Sequence, residues 1–248
     1  MMKKTLLACA LLTSLAATSA QAATLVGFKV GGDIWQADTN GTFAQGGQTQ
    51  QDFDYGSSTQ GSLWVAVEHP IPLVPNVKIR ENRLDADGQG TLVAPWIFGE
   101  HTFSPGSIST ATNLSNTDFV LYYELLDNDL VALDLGAAYK RMHGSYRVAD
   151  AGHPEQKDLS SGVVMAYANA EVGLPGLGLY GFADVMLGVD ETSVYDYSVG
   201  LGWHFDGVAL DTKIRVGYRD FTFDVNGFDG ITANSQFKGA FAGVELVF

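Results

Sequence analysis

The sequence predicts an all-β protein: a closed antiparallel transmembrane β-barrel of about ten strands. Three observations lead there. Ten windows alternate apolar and polar residues with period two, as expected when successive strand side chains point to opposite faces. The connections between them alternate short and long, so all long loops leave from one end of the sheet. The apolar faces end in aromatic residues while the opposite faces carry charges of both signs, the inverted arrangement of a barrel whose outside is lipid. Composition agrees: 29 Gly, 14 Phe and 10 Tyr against 7 Pro favour strands and turns over helices.

The first residues, MMKKTLLACALLTSLAATSAQA, read as a cleaved signal peptide. Lys3 and Lys4 form a basic start, Leu6 to Ala17 a short apolar run, and Ala20-Gln21-Ala22 a small-x-small cleavage site. The run is too short to span a bilayer. Leu6-Leu7-Ala8-Cys9 looks like a lipobox but lies too close to Lys4 to have an apolar stretch ahead of it. The expected division is therefore 1–22 as leader and 23–248 as a single barrel, with no composition break inside it. Cys9 is the sole cysteine and leaves with the leader, so no disulfide is expected.

The first window, Leu25 to Gln36, puts Val26, Phe28, Val30 and Ile34 on one face and Lys29, Asp33 and Trp35 on the other. Leu63 to Glu68 follows, then Asn76 to Arg83, where Val77 and Ile79 oppose Lys78 and Arg80. Phe119 to Leu125 alternates Phe119, Leu121, Tyr123 and Leu125 with Val120, Tyr122 and Glu124. Val131 to Lys140 sets an apolar face against Asp134 and Lys140, and Val163 to Val172 sets one against Tyr167, Asn169 and Glu171. Leu179 to Leu187 carries Asp184, and Tyr195 to Phe205 carries Asp196 and His204. Val208 to Arg219 places Asp211, Lys213, Arg215 and Arg219 opposite Val208, Leu210, Ile214, Val216 and Tyr218. The last window, 239–248, has Ala240, Ala242, Val244, Leu246 and Phe248 on its apolar face, opposite Phe241, Gly243 and Glu245.

Short connections fall at Pro70–Pro75, Asp127–Asp129, Pro175–Gly176 and Asp206-Gly207; the last is a type I′ hairpin signal. Long ones span about 37–60, 84–117, 142–161, 188–194 and 220–235 and are rich in Gly, Ser, Thr, Asn, Asp and Gln. Within 84–117, the stretch APWIF adds a possible further strand.

Two girdles are expected on the lipid face: Phe28, Phe119, Tyr139, Tyr195 and Tyr218 toward the long loops, and Trp203, Phe205 and Phe248 toward the short turns. Both termini fall on the short-turn side, which makes the short turns periplasmic and the long loops extracellular. The expected lumen network is Lys29, Asp33, Glu68, Lys78, Arg80, Glu124, Asp134, Lys140, Glu171, Asp184, Asp196, His204, Asp211, Lys213, Arg215, Arg219 and Glu245. Its near-balance of sign suits enclosed pairing, since an unpaired buried charge is costly. A secreted β-sandwich shares the alternation but needs neither the girdles nor so many Gly residues.

The opening VGFKVGGDIWQAD, the EHPIPLVPNVKIR turn, YDYSVGLGWHF, VGYRDFTFDV and the closing GAFAGVELVF together resemble a family of Gram-negative outer-membrane β-barrel proteins over the whole mature chain. The resemblance implies a single outer-membrane barrel and no particular reaction. It also implies that Val244, Leu246 and Phe248 form the terminal signal read by the barrel-assembly machinery.

The chain carries a net charge of −14, which repels nucleic acid. HExxH, GxSxG and CxxC are absent, so metalloprotease, hydrolase and thiol-redox chemistry lack their motifs. No catalytic residue, metal ligand or cofactor is assigned. A rim hydrolase would draw on His143, Asp150 and His153 with Asp220 or Asp224; His69 and His101 read as structural or solvated. The loop acids, among them Asp38, Asp52, Asp54, Asp85 and Asp87, are a candidate seat for the divalent cations that bridge lipopolysaccharide phosphates. Outer-membrane lipid and lipopolysaccharide are the expected partners. A barrel of this size has an interior that side chains largely fill, so the lumen is expected to be plugged, with at most a narrow path for a small solute. The expected role is structural or surface-interacting, with a rim enzyme or a small specific channel as alternatives.

Overall fold

A computed structural model describes residues 26–128, 130–174, 176–208 and 210–248, so the leader and its cleavage site lie outside the described residues. The chain runs β1 (Gly27–Gln45), β2 (Gln51–Tyr55), β3 (Ser58–Glu68), β4 (Asn76–Arg83), β5 (Asp85–Leu92) and β6 (Trp96–Phe98). It continues through β7 (His101–Phe103), β8 (Gly106–Asn113), β9 (Asn116–Asp127), β10 (Val131–Met142), β11 (Ser145–Ala149) and β12 (Pro154–Asp158). It ends with β13 (Gly162–Leu174), β14 (Leu179–Gly188), β15 (Tyr195–Phe205), β16 (Asp211–Phe228) and β17 (Ile231–Val247).

Ten of these close a barrel in the order β1-β3-β4-β9-β10-β13-β14-β15-β16-β17, every pair antiparallel. β17 returns to β1 in register from Lys29↔Val247 to Gln45↔Ile231. Closure leaves no unpaired edge in this part of the molecule. Each sequence-predicted window overlaps one of these ten strands, and β4 and β15 have the expected limits.

Three strands run far beyond their expected ends. β1 extends to Gln45, β16 to Phe228, and β17 begins at Ile231, so the expected loop 220–235 is a tall hairpin whose β17 edge pairs with the upper length of β1. Its tip carries Gly227, Asp229 and Gly230 at φ of 79°, 50° and 81°, a region that Gly enters freely and Asp tolerates. The other long loops also contain strands. β2, β5, β8, β11 and β12 continue the upper end of β1 as one sheet, ordered β12-β11-β8-β5-β2-β1-β17-β16. β6 and β7 form a separate hairpin containing the Trp96–Phe98 stretch of APWIF. Together they build a β-cap on the long-loop end of the barrel.

The physical reason lies in a change of polarity along single strands. Below Gln36, the outward side chains of β1 are apolar, with Ile34 67% exposed. Above it they are Gln36, Asp38, Asn40 and Thr42, while the inward set becomes Trp35, Ala37 and Phe43, all buried. β16 switches at Asp220, where Phe221, Phe223 and Val225 turn inward. β17 switches at Lys238, with Ala233 and Phe237 inside. The barrel wall has its apolar face outside, whereas the cap has it inside around Phe43, Phe53, Trp96, Phe98, Phe103 and Tyr146.

Two further expectations are corrected. Phe28 sits at the short-turn end, not the long-loop end, because β1 starts there and its backbone pairs with Phe248. The Asp206-Gly207 turn is a longer connection from Asp206 to Leu210. The Gly207 amide is held by the Asp211 carboxylate at 2.9 Å, and Val208 points into the open instead of joining the strand.

Candidate functional site

The lumen is stratified, and each layer follows from which side chains the barrel strands turn inward. The exterior of all ten barrel strands is a continuous belt of exposed apolar side chains, from Ile34, Leu63 and Ile79 through Leu121, Leu135, Val164 and Leu187 to Leu201, Val216 and Val244. Trp203 and Phe205 stack on each other near the short-turn end, with ring centroids 5.1 Å apart.

At mid-height, three cations meet three carboxylates. Arg80 on β4 reaches Asp118 at 2.9 Å, Asp184 at 3.3 Å and Asp196 at 3.1 Å. Lys140 on β10 bonds Asp118 at 2.7 Å and Asp196 at 3.2 Å. Arg219 on β16 donates to Asp196 at 2.8 Å, to Ser62 at 2.7 Å and to Asn82 at 2.8 Å. All six charged groups are buried. Excellent pairing is what such burial demands, because each ion has lost its water. Gly31 makes room nearby: a Cβ there would meet the Trp64 ring at 2.1 Å. That indole in turn lies 4.6 Å from the Arg215 guanidinium, a cation–π contact.

Above this layer the cap core closes the lumen. Trp35 lies 5.1 Å from Arg219, and Phe221 lies 5.1 Å from the Lys140 ammonium, so aromatic faces roof the ion layer. Phe43 stacks on Phe53 at 4.8 Å and touches Phe98 and Tyr146. The β6–β7 hairpin seals the top, held by the Trp96 indole N–H donating to the Thr49 carbonyl at 3.0 Å. In the cap wall, burial pushes the Tyr55 phenol up to about 12, against the hydrogen bond it shares with Thr112.

Below the ion layer is an open vestibule of about 1020 Å³ that reaches the short turns. Lys29 pairs with Glu68, which also accepts the Tyr122 hydroxyl at 2.7 Å. Lys213 pairs with Glu171 at 2.8 Å and lies 3.9 Å from Glu245. Arg215 reaches Asp33 at 3.4 Å, and Lys78 reaches Asp184 at 3.3 Å. Glu124 accepts from Asn76 at 3.1 Å, and Asp134 lines the same cavity. At the mouth, His204 faces Asp206 and Asp211.

The strands therefore bring the sequence-predicted lumen residues into three groups: a central ion layer, vestibule pairs and a rim cluster at His204. Of the rim hydrolase set, only Asp150 and His153 are brought together, beside His101; His143, Asp220 and Asp224 have partners elsewhere. His143 faces Glu81 at 3.3 Å. His153 stacks flat on His101 with centroids 4.7 Å apart. Asp150 accepts the Gly152 and His153 amides, which hold its carboxyl below the usual range. Asp220 accepts from Gln236, and Asp224 from Asn234. Among the described residues, the acids Asp38, Asp52, Asp54, Asp85 and Asp87 belong to no cluster of three groups able to share an ion. At the closing seam, Val244 is 45% exposed and Phe248 exchanges backbone hydrogen bonds with Phe28. Sequence reasoning missed Asp206, which it treated only as part of a turn; the signal was its spacing of two from His204.

The fold and lumen thus define a closed ten-stranded antiparallel barrel with an apolar exterior and a charged interior. No protein-family model matches the sequence, and no curated protein matches it. Among solved structures, the chain is similar to the outer membrane protease OmpT from Escherichia coli at 10% identity and a TM-score of 0.44, covering 89% of this chain and 97% of that one. It is similar to the translocator domain of the autotransporter NalP from Neisseria meningitidis at 14% identity and 0.38, covering 96% and 94%. It is also similar to Ail of Yersinia pestis at 11% identity and 0.30, covering 89% and 99%. Overlaps this loose carry no argument about activity.

Proposed function

We propose that this protein is an integral outer-membrane barrel that holds a folded β-cap at the cell surface over a lumen closed to free diffusion. Its role is that of a structural or surface-interacting protein. The observation that carries this reading is the belt of exposed apolar side chains around a barrel whose interior is charged. Water-facing proteins rarely expose so large a continuous apolar surface, while lipid requires it. The switch to polar outward residues at Gln36, Asp220 and Lys238 supports the cap lying outside the lipid. The vestibule and short turns then face the periplasm. Lipid and lipopolysaccharide surround the belt, and the outward Val244, Leu246 and Phe248 serve the barrel-assembly machinery.

The exported chain has no cysteine, which makes a labelling test clean. In intact cells, Asp87→Cys in the cap should react with a membrane-impermeant maleimide. Leu73→Cys in the β3–β4 turn should react only after the outer membrane is permeabilised. Equal labelling of both in intact cells, or the reverse pattern, would overturn the placement.

A further inference from the structure

We propose that His204, Asp206 and Asp211 form a binding site for one divalent transition-metal ion at the mouth of the vestibule. The three side chains come from the end of β15, its outgoing turn and the start of β16. His204 Nε2 lies 3.7 Å from Asp206 Oδ1 and 3.6 Å from Asp211 Oδ2. The three ligand atoms all lie within 4.8 Å of one another. A zinc ion with bonds of about 2.0–2.2 Å needs neighbouring ligand atoms roughly 3.3–3.5 Å apart in a tetrahedral site. The two distances from His204 exceed that by only a few tenths of an ångström. The exposed Asp206 side chain can rotate to close the remaining edge.

The surroundings orient these groups. Asp211 spends Oδ1 on the Gly207 amide at 2.9 Å, which leaves Oδ2 toward the imidazole. A hydrogen bond to the other atom of a ligand group is the usual device for fixing its direction. The His204 backbone is tied to the neighbouring hairpin, its amide donating to the Gly178 carbonyl at 2.7 Å. The cation opposite His204 in register, Lys213, is engaged by Glu171 at 2.8 Å. The pair of carboxylates is therefore left for another positive charge.

The donor set selects the ion. A neutral imidazole with two carboxylates carries two negative charges, which a divalent ion cancels. Imidazole favours zinc and its neighbours in the first transition row over calcium and magnesium, which take oxygen donors. Three protein ligands leave at least one coordination position for water or for an anionic group entering the vestibule.

Refolded, untagged protein in detergent, stripped with chelator, is titrated with Zn²⁺ in a calorimeter at pH 7.5. One equivalent should bind. His204→Ala and Asp211→Asn should each weaken that binding at least about tenfold, while leaving the barrel's circular dichroism unchanged. Asp206→Asn, at an exposed position, provides the variant least able to disturb folding and should also weaken it. Ca²⁺ should give no binding heat at the same concentrations. The proposal is overturned if wild-type protein binds no Zn²⁺, if His204→Ala binds it as tightly as wild type, or if Ca²⁺ competes equally.

Discussion

Asp196 shows what one residue does in this lumen. Its carboxylate receives Arg219, Arg80 and Lys140 from three different strands, all within 3.2 Å. Asp196→Asn keeps the volume and removes the charge, taking from the buried Arg219 its paired carboxylate and from Arg80 and Lys140 one of theirs. Losing one partner of a buried pair costs about 3–5 kcal/mol. Urea unfolding from lipid vesicles should show a loss of that size, and a loss below about 1 kcal/mol would sink this account of the layer. The sequence made half of this legible. Period-two alternation put Asp196, Lys140 and Arg219 on inward faces, because a strand alternates whatever surrounds it. It did not reveal their meeting, since Lys140 and Asp196 join across the lumen from separate hairpins. Partner choice depends on closure and register, which no local window contains. His204 illustrates this: its facing acids come from the next turn and strand, and Asp196 goes to the ion layer instead.

At the scale of elements, legibility followed polarity. β15 keeps one apolar outward face for its whole length, and its limits match the sequence window; β4 also has the expected limits, although its outward face passes from Val77 and Ile79 to Glu81 and Arg83. β1, β16 and β17 were expected to stop near Gln36, Arg219 and Gly239. A search for one apolar face ends where that face turns polar, although the alternation continues with its phase reversed. The cap strands β5 and β8 read as loop because their outward residues are Asp85, Asp87, Gln89, Ser107 and Ser109, the usual vocabulary of turns.

The β16–β17 hairpin carries its own test. The Asp229 carboxylate accepts the Ser160 and Ser161 amides at 2.7 and 2.9 Å, and the Ser161 hydroxyl as well. Partial burial raises its pKa, but these hydrogen bonds prevail and hold it below the usual carboxylate value. A depressed folded value means that the stabilisation is complete above the unfolded pKa of about 3.9 and fades as pH falls through the folded one. Exchange protection at the Ser160 and Ser161 amides, corrected for intrinsic rate, should fall below about pH 4. Asp229→Asn should remove that pH dependence; an unchanged profile would count against the tether.

For the whole molecule, two barriers lie in series: the aromatic cap core and the ion layer beneath it. Neither alone needs to hold back solute. In planar bilayers the refolded protein should therefore show no steady conductance. Deleting Val93–Phe103, which removes the β6–β7 hairpin, should leave it silent because Arg80, Lys140 and Arg219 still bridge the bore. A large, stable open-pore current from either protein would show that the lumen is not closed as described. Barrel architecture was legible from the strand windows; the expected filling was not uniform, since Trp35, Tyr122, Tyr167, Phe182 and Phe241 are buried as inward residues while the lumen below the ion layer stays open as the vestibule. The cap was not, because its strands are dispersed among three connections and the upper lengths of β1, β16 and β17, and no composition break marks a boundary.

That lack of a boundary makes the cap depend on the barrel. Three walls of the cap are the upper lengths of β1, β16 and β17, whose lower lengths are barrel staves. Until those staves are paired, Phe43, Phe221 and Phe237 have no common space to fill. β2, β5, β8, β11 and β12 continue those walls as one sheet, so they too depend on the closed barrel for an edge to pair with. Cap and barrel thus share their walls, and whatever opens the β1–β17 seam also opens the aromatic core above it.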